Sequence, residues 1–509
     1  MSGFDLYTAG LGLITPYTLI FLAFGLMVGI TIGALPGLNV NMAVSIMLPL
    51  TYGMDPSAGI LMLLGVYCGG NYGGSIAATL VNIPGTPSAV MTTLDAHPMA
   101  KQGKAGLAIG LATMASALGG LFSVVVLCTL SPVIAELALQ FTSLEMSAIC
   151  IFGISIMAYV SGGSVVKGVM AGVLGLMISC IGFDPVTSVP RFTFHSMYLY
   201  SGVNFTAAMI GLFGFTEIIL SSEQGLRKTA QIEIAKVKNV FECFRYLKRS
   251  AVNLISSSVI GTVIGAIPGA GGTIASIVSY GVEKKITKEP EKMGHGSVDG
   301  IVAAEAANNA CCGGAMTTLL SLGIPGDGVT AILLGAFIIH GMQPGPTLFS
   351  DNPEMVSAIF IGMFIINILL LFIGLLGAPQ FAKFLKIPKR ILHPCILMLC
   401  VVGTYGVQGS TFDVKMMFLF GVIGYLFVKL EIPRAPVVLA LVLGNTLEKN
   451  LRRTMVLARG DLWGFFWKRT GETPIALIVL AITVFLLLGV PILSALRKSL
   501  HGKKQSDNS

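Results

Sequence analysis

The chain has 509 residues, 54% hydrophobic and 11% charged, with a mean hydropathy of +0.84, against roughly 25% charged residues in an ordinary soluble domain. A soluble protein is excluded, and no polar stretch is long enough to be a separate catalytic domain. The net charge of +8 lies in short segments beside apolar runs, a distribution that fits positive-inside topology and not nucleic-acid binding.

Apolar runs are predicted near residues 17–35, 58–80, 107–130, 144–161, 165–182 and 198–220. A polar stretch follows at 221–250, and further runs lie near 253–282, 301–322, 327–341, 355–378, 391–407, 414–430 and 474–496. At roughly 20 residues per crossing this predicts an all-α polytopic membrane protein of about 12 transmembrane segments. The first run is preceded by Asp5 and by no Lys or Arg, so it lacks the basic region of a secretory signal and is expected to stay in the membrane. Residues 221–250 carry Arg227, Lys228, Lys236, Lys238, Arg245, Lys248 and Arg249, which assigns them to the cytoplasm as a basic linker. Lys383, Lys386, Lys389 and Arg390, then Lys449, Arg452 and Arg453, then the Lys498–Lys504 tail mark further cytoplasmic segments. The predicted organisation is a first membrane repeat at 1–220, the linker, and a second repeat with a C-terminal helix and basic tail at 251–509.

Comparison of the halves supports that division. Gly29-x-x-x-Gly33-Ala34-Leu35-Pro36-Gly37 matches Gly261-x-x-x-Gly265-Ala266-Ile267-Pro268-Gly269. In register, Asn71-Tyr72-Gly73-Gly74-Ser75 leads to Ile83-Pro84-Gly85, and Cys311-Cys312-Gly313-Gly314-Ala315 leads to Ile324-Pro325-Gly326. A weaker third pair links Phe183-Asp184-Pro185 to Glu431-Ile432-Pro433. The first copy is preceded by no basic residue and the second by the most basic segment of the chain, so the copies are expected to enter from opposite sides as inverted repeats.

Proline lacks a donor and glycine tolerates left-handed backbone, so each Pro-Gly pair stops the helical ladder. The freed backbone groups would cost several kcal/mol each in lipid, which predicts broken helices or re-entrant hairpins lining protein or water at Pro36, Pro84, Pro268 and Pro325. Unwound carbonyls with Ser, Thr and Asn side chains suit a sodium ion, and half-helix N-termini suit a carboxylate. The candidate substrate-binding residues are Asn39, Asn71, Tyr72, Gly73, Gly74, Ser75, Pro84, Gly85 and Thr86 in the first copy. In the second they are Gly271, Gly272, Thr273, Asn308, Asn309, Gly313, Gly314, Pro325 and Gly326. The candidate ion ligands are Asn41, Asn82, Ser276, Glu305, Thr317, Thr318 and Asp327. The alternatives are hydrogen bonds between helices for the polar residues and close helix packing for the glycines.

Glu305 lies one turn from Asn308 and Asn309, as a cation ligand, a counter-ion or an interfacial residue. Glu136, Glu145, Asp184 and Glu217, near run ends, are expected to face headgroups, and Asp95, near His97, Lys101 and Lys104, is expected in a loop. None of the nine cysteines forms a C-x-x-C pair, so neither zinc nor a disulfide framework is indicated. Hydrolase, metalloprotease, Walker and dinucleotide motifs are absent, so no catalytic residue, cofactor or transition metal is predicted.

The duplicated breaks resemble those of the large permease subunit (TctA type) of bacterial tripartite tricarboxylate transporters. The residues carrying the likeness are Gly33-Ala34-Leu35-Pro36-Gly37, Tyr72 to Thr86, and Gly313-Gly314 to Gly323-Ile324-Pro325-Gly326. It spans about residue 10 to about residue 495. The resemblance implies a multi-pass protein of the bacterial inner membrane that imports citrate or other tri- or dicarboxylates by symport, usually with Na+. It also implies two partners, a small membrane subunit and a periplasmic solute-binding protein, and an elevator-like movement of the broken-helix core. A passive carboxylate channel is the rival reading, since channels also use broken helices.

Overall fold

The computed structural model describes residues 7–35, 38–160, 164–185, 187–223, 237–246, 248–385, 389–485 and 487. The first break (Pro36, Gly37), Asp5, Arg227, Lys228, Lys236, Lys386 and the Lys498–Lys504 tail lie outside them. The described chain is mostly helical, and its strands form a two-stranded ladder that pairs Gly182 with Arg191 and Phe183 with Pro190. Among the described residues, seven helices are long and apolar enough to cross a bilayer, against the dozen crossings expected. The breaks account for part of the difference, because they cut apolar runs into short pieces. The run predicted at 253–282, for example, is two 16-residue helices, Ala251–Ala266 and Gly271–Ile286.

The chain divides into two compact units, Met1–Leu139 with Asn204–Leu426, and Gln140–Val203 with Phe427–Ser509. Each half of the sequence contributes to both units. The larger unit holds α1 (Pro16–Ala34), α2 (Val40–Met47), α3 (Pro56–Val81), α4 (Val90–Met99) and α5 (Ala105–Ala138) from the first half. From the second half it holds α6 (Ala251–Ala266), α7 (Gly271–Ile286), α8 (Val298–Leu322), α9 (Gly328–Ile339) and α10 (Pro353–Phe384).

Local sequence sets most of these ends. Thr15 and Thr18 form a reciprocal capping box at the start of α1, with Pro16 in the first turn. Asp55 caps α3, again followed by proline, and Ser297 caps α8. Both α3 and α8 stop at a left-handed residue, Asn82 (φ 56°) and Gly323 (φ 71°).

Glycines set how closely the helices approach. On α1, a Cβ at Gly25, Gly29 or Gly33 would fall on the carbonyl oxygen of Met62, Val66 or Gly70 of α3. In return, Cβ atoms at Gly65 and Gly69 would stand 2.6 and 2.5 Å from the Leu22 and Leu26 oxygens. The second half repeats this contact, with Gly261 and Gly265 of α6 against the Ala307 and Cys311 carbonyls of α8, and Gly314 against that of Thr262. Such backbone contact replaces the hydrophobic driving force that lipid does not supply. The result is that α3 and α8 are the interior helices, buried from Ser57 to Leu80 and from Gly300 to Ser321.

Three carboxylates differ from expectation. Asp95 lies not in a loop but on α4, fully buried, where Oδ1 accepts from the amides of Gly294 (2.9 Å), Gly296 (2.9 Å) and Ser297 (2.7 Å) and Oδ2 from the Tyr280 hydroxyl (2.8 Å). In the smaller unit, Glu145 is fully buried and paired with Arg469 (3.0 Å) instead of facing headgroups. Asp184 is buried between Arg191 (3.2 Å) and Arg452 (2.7 Å), and Glu448 bridges the same two arginines. Arg452, read as a topological marker, therefore also has a structural partner. Each carboxylate has at least one hydrogen-bonding or charged partner from a distant part of the chain, which local hydropathy does not register.

Candidate functional site

The three described breaks meet inside the larger unit. The Gly269 amide donates to the Gly326 carbonyl (2.8 Å) and the Gly85 amide to the Gly74 carbonyl (3.3 Å). A Cβ on Gly85 would fall on the Gly33 carbonyl oxygen, as one on Gly326 would fall on that of Gly265. Gly269 (φ 83°) and Gly271 (φ 62°) are left-handed, so an L side chain is strained at both.

The helices that restart after breaks are not alike. Asn39 caps α2 by accepting from the Met42 amide (2.8 Å), and Asp327 caps α9 by accepting from that of Thr330 (2.8 Å). The cap position of α7 is Ala270, and no side chain accepts from its first turn. Gly271, Gly272 and Thr273 are half-buried there, so this N-terminus presents free amides and the positive end of a helix dipole.

Unpaired acceptors lie alongside. Asn308 is fully buried; its Nδ2 donates to the Asn71 carbonyl (3.2 Å), while its Oδ1 has no donor. A Cβ on Gly272 would stand 2.5 Å from that oxygen and 3.3 Å from Ser88 Cβ. Asn41 Oδ1 is also buried without a donor, 3.0 Å from where Gly328 would carry a Cβ. Asp327 closes the ring: its Cβ is 3.4 Å from a Cβ placed on Gly271, and its Oδ2 accepts from the Tyr67 hydroxyl (2.6 Å). A buried acceptor without a donor costs about 1–3 kcal/mol, so such oxygens are suited to a ligand or an ion.

The structure therefore brings together Asn41, the Asn71 carbonyl, Gly271, Gly272, Asn308 and Asp327, with Thr86 beside Ser88 (3.1 Å between hydroxyl oxygens), while the Asn71 side chain donates to Cys312 Sγ (3.0 Å). Pro84, Gly85, Pro325 and Gly326 form the breaks, and Gly74 packs on Thr86. Other predicted residues are engaged elsewhere. Tyr72 bonds Thr113 (2.7 Å), Gly73 abuts the Ile30 carbonyl, Gly313 abuts Ser123, and Gly314 abuts Thr262. Asn39 Nδ2 donates to Glu217 (3.0 Å), a half-buried carboxylate expected at the headgroups. Ser75, Ser276, Thr317 and Thr318 donate to carbonyls of their own helices, and Asn82 is exposed.

Glu305 sits in a second polar cluster. It is fully buried, accepts from the Thr92 hydroxyl and from that of Ser116 (2.9 Å), and Asn309 Nδ2 donates to Ser116 (2.8 Å). Tyr67, Thr92 and Ser116 were not identified from sequence, since each lies in or beside an apolar run with no motif around it.

The helix lengths, the glycine-mediated packing and the interior chain breaks define a polytopic membrane protein whose polar residues are gathered at interrupted helices. Residues 19–439 match the Tripartite tricarboxylate transporter TctA family, and the chain belongs to that family, the permease component of tripartite transport systems. The chain is 34% identical to an uncharacterized 52.8 kDa protein of the TAR-I ttuC' 3' region of Agrobacterium vitis, over 92% of each chain. A protein of the TAR-II ttuC' 3' region of the same organism is 39% identical over 40% of this chain and 83% of its own length. No solved structure matches the chain.

Proposed function

We propose that this chain is the ion-coupled permease of a carboxylate import system of the bacterial inner membrane, working with a small membrane subunit and a periplasmic binding protein. The observation that carries the reading is the uncapped N-terminus of α7, half-buried at Gly271–Thr273 beside the unpaired Asn308 oxygen. Helix N-terminal amides favour a carboxylate, and the bare glycines let it approach the backbone. Asp327 stands next to this position, so an anionic cargo is repelled unless a cation accompanies it. That electrostatic requirement favours symport, with Na+ as the coupling ion, over passive conduction.

The matched contacts of α1 with α3 and of α6 with α8 support an inverted repeat with about 12 crossings, some of them made by half-helices. Alternating access then follows from an elevator-like movement of the broken-helix unit. Citrate and other tri- and dicarboxylates are the substrate class. The test is uptake of labelled carboxylate into proteoliposomes containing the chain and both partners, with sodium and proton gradients imposed separately. Accumulation against the gradient is expected, and Asn308→Ala and Asn71→Ala should each lower it without loss of protein from the membrane. Unchanged uptake in both variants overturns the site, and uptake that only equilibrates overturns symport.

A further inference from the structure

Glu305 is a fully buried carboxylate on the interior helix α8, and among the described residues no Lys, Arg or His pairs with it. Its partners are neutral: the hydroxyls of Thr92 on α4 and Ser116 on α5, and the side chain of Asn308, which reaches the carboxylate from α8 itself. Asn309, one turn further along α8, donates through Nδ2 to Ser116 (2.8 Å) and to the Glu305 carbonyl (3.4 Å). Its Oδ1, in a residue 1% exposed, has no donor. A buried charge without a counter-charge costs several kcal/mol. The Asn309 amide, one turn along the helix, carries a second buried acceptor with nothing to accept.

We infer that Glu305, Asn309, Thr92 and Ser116 form a binding site for one hard monovalent cation, sodium, adjoining the cluster at the chain breaks through Asn308. The four side chains supply oxygen ligands of the kind that hard cations take. One carboxylate with three neutral oxygens balances a single positive charge, whereas a divalent ion would leave one charge uncompensated in a low-dielectric interior. Both hydroxyls now donate to Glu305; on binding they turn their protons away and present lone pairs, since a hydroxyl has one donor and two acceptor positions. The amide of Asn309 turns in the same way to present Oδ1.

The site deepens the transport reading and rests on it for the ion's purpose, not for its binding. Asn308 and Asn309 are consecutive on α8: Asn309 bonds Ser116, and Asn308 reaches both Glu305 and the Asn71 carbonyl beside Gly272. An ion that fixes Asn309 and draws α4, α5 and α8 together therefore also orients Asn308 toward the first turn of α7. Cation and cargo would then raise each other's affinity by the same factor.

The test uses the purified full chain in micelles, with Na+ replacing choline at constant ionic strength and pH. The thermal unfolding midpoint is recorded against Na+ concentration, and ²³Na NMR line broadening gives a second measure of binding. Saturable stabilisation is expected in the native chain and weaker stabilisation by K+. Glu305→Gln, Ser116→Ala and Asn309→Ala should each weaken Na+ binding at least tenfold, while Thr317→Val, whose hydroxyl bonds its own helix, should not. If Glu305→Gln does not fold, Ser116→Ala and Asn309→Ala carry the test. Absence of a sodium effect in the native chain, or affinity within twofold of native in both of those variants, overturns the site. Sodium binding without carboxylate uptake in proteoliposomes upholds the site and overturns the permease reading. Carboxylate uptake driven by protons, with no sodium binding, does the reverse.

Discussion

Asp95 offers the sharpest check on how the larger unit is held together, because one carboxylate fastens the segment between α7 and α8. Oδ1 accepts from three backbone amides, Gly294, Gly296 and Ser297, and Oδ2 from the Tyr280 hydroxyl of α7. Hydrogen bonds to a charged group contribute about 1.5–3 kcal/mol each. Four independent bonds would give about 6 kcal/mol at the lower bound. The three amides lie on one segment that is able to move and rehydrate as a unit, so Asp95→Ala is expected to cost about 4 kcal/mol. Tyr280→Phe removes only one of the four bonds and should cost about 1.5–3 kcal/mol. Asp95→Asn keeps one oxygen for the amides but loses the charge, and it should fall between the two. Equilibrium unfolding in micelles measures the losses. Amide hydrogen exchange at residues 294–297 checks their origin, since it should accelerate in Asp95→Ala and remain near native in Tyr280→Phe. A loss below about 1 kcal/mol in Asp95→Ala, or protected amides in a variant that is strongly destabilised, would refute the assignment of this carboxylate as the fastener.

Two further outcomes follow from packing and charge. Gly265→Ala places a methyl group on the Cys311 carbonyl of α8, and overpacking of this kind costs about 1–3 kcal/mol; thermal unfolding of the purified chain should show that loss, whereas Gly281→Ala on α7, where a Cβ meets nothing, should be neutral or slightly stabilising. In the smaller unit, the hydrogen bond from Arg191, with the nearby charges of Arg191 and Arg452, holds the Glu448 carboxyl below its usual range. A depressed carboxylate pKa contributes stability above the unfolded-state value, roughly 4.3, and that contribution is lost as pH falls through the lower folded value. Acid unfolding of Glu448→Gln should therefore be less steep than that of the native chain over that window, and an identical acid limb would count against the pairing.

The legible part of the fold was its punctuation. Pro84-Gly85, Pro268-Gly269 and Pro325-Gly326 interrupt helices in the structure, and the glycine spacing at 29/33 and 261/265 marked the close contacts, because both are consequences of local covalent geometry. The pairing of buried charges was not legible. Asp95 sits two residues from His97 and near Lys101, and nothing local reveals that its donors come from residues 280–297. The same holds for Glu145 with Arg469 and for Asp184 with Arg452, where the partners are more than 250 residues apart.

The polar residues divide by the same logic. Ser75, Ser276, Thr317 and Thr318 sit beside breaks but bond carbonyls of their own helices, a local arrangement open to any hydroxyl in a helix. Asparagine cannot satisfy itself so simply, since its amide has two donors and a separate acceptor to place. Asn41, Asn308 and Asn309 each retain a buried oxygen without a donor, and these three are therefore more informative than the more numerous Ser and Thr. Two of the three are adjacent on the buried helix α8: Asn308 reaches the Asn71 carbonyl at the breaks and the Glu305 carboxylate, and Asn309 bonds Ser116, which itself donates to Glu305. A helix that is interior yet polar along this stretch is costly for a protein that needs only to span a bilayer. Its cost is accounted for if α8 holds the cargo site and the ion site one residue apart, where occupancy of one is communicated to the other through a single peptide unit.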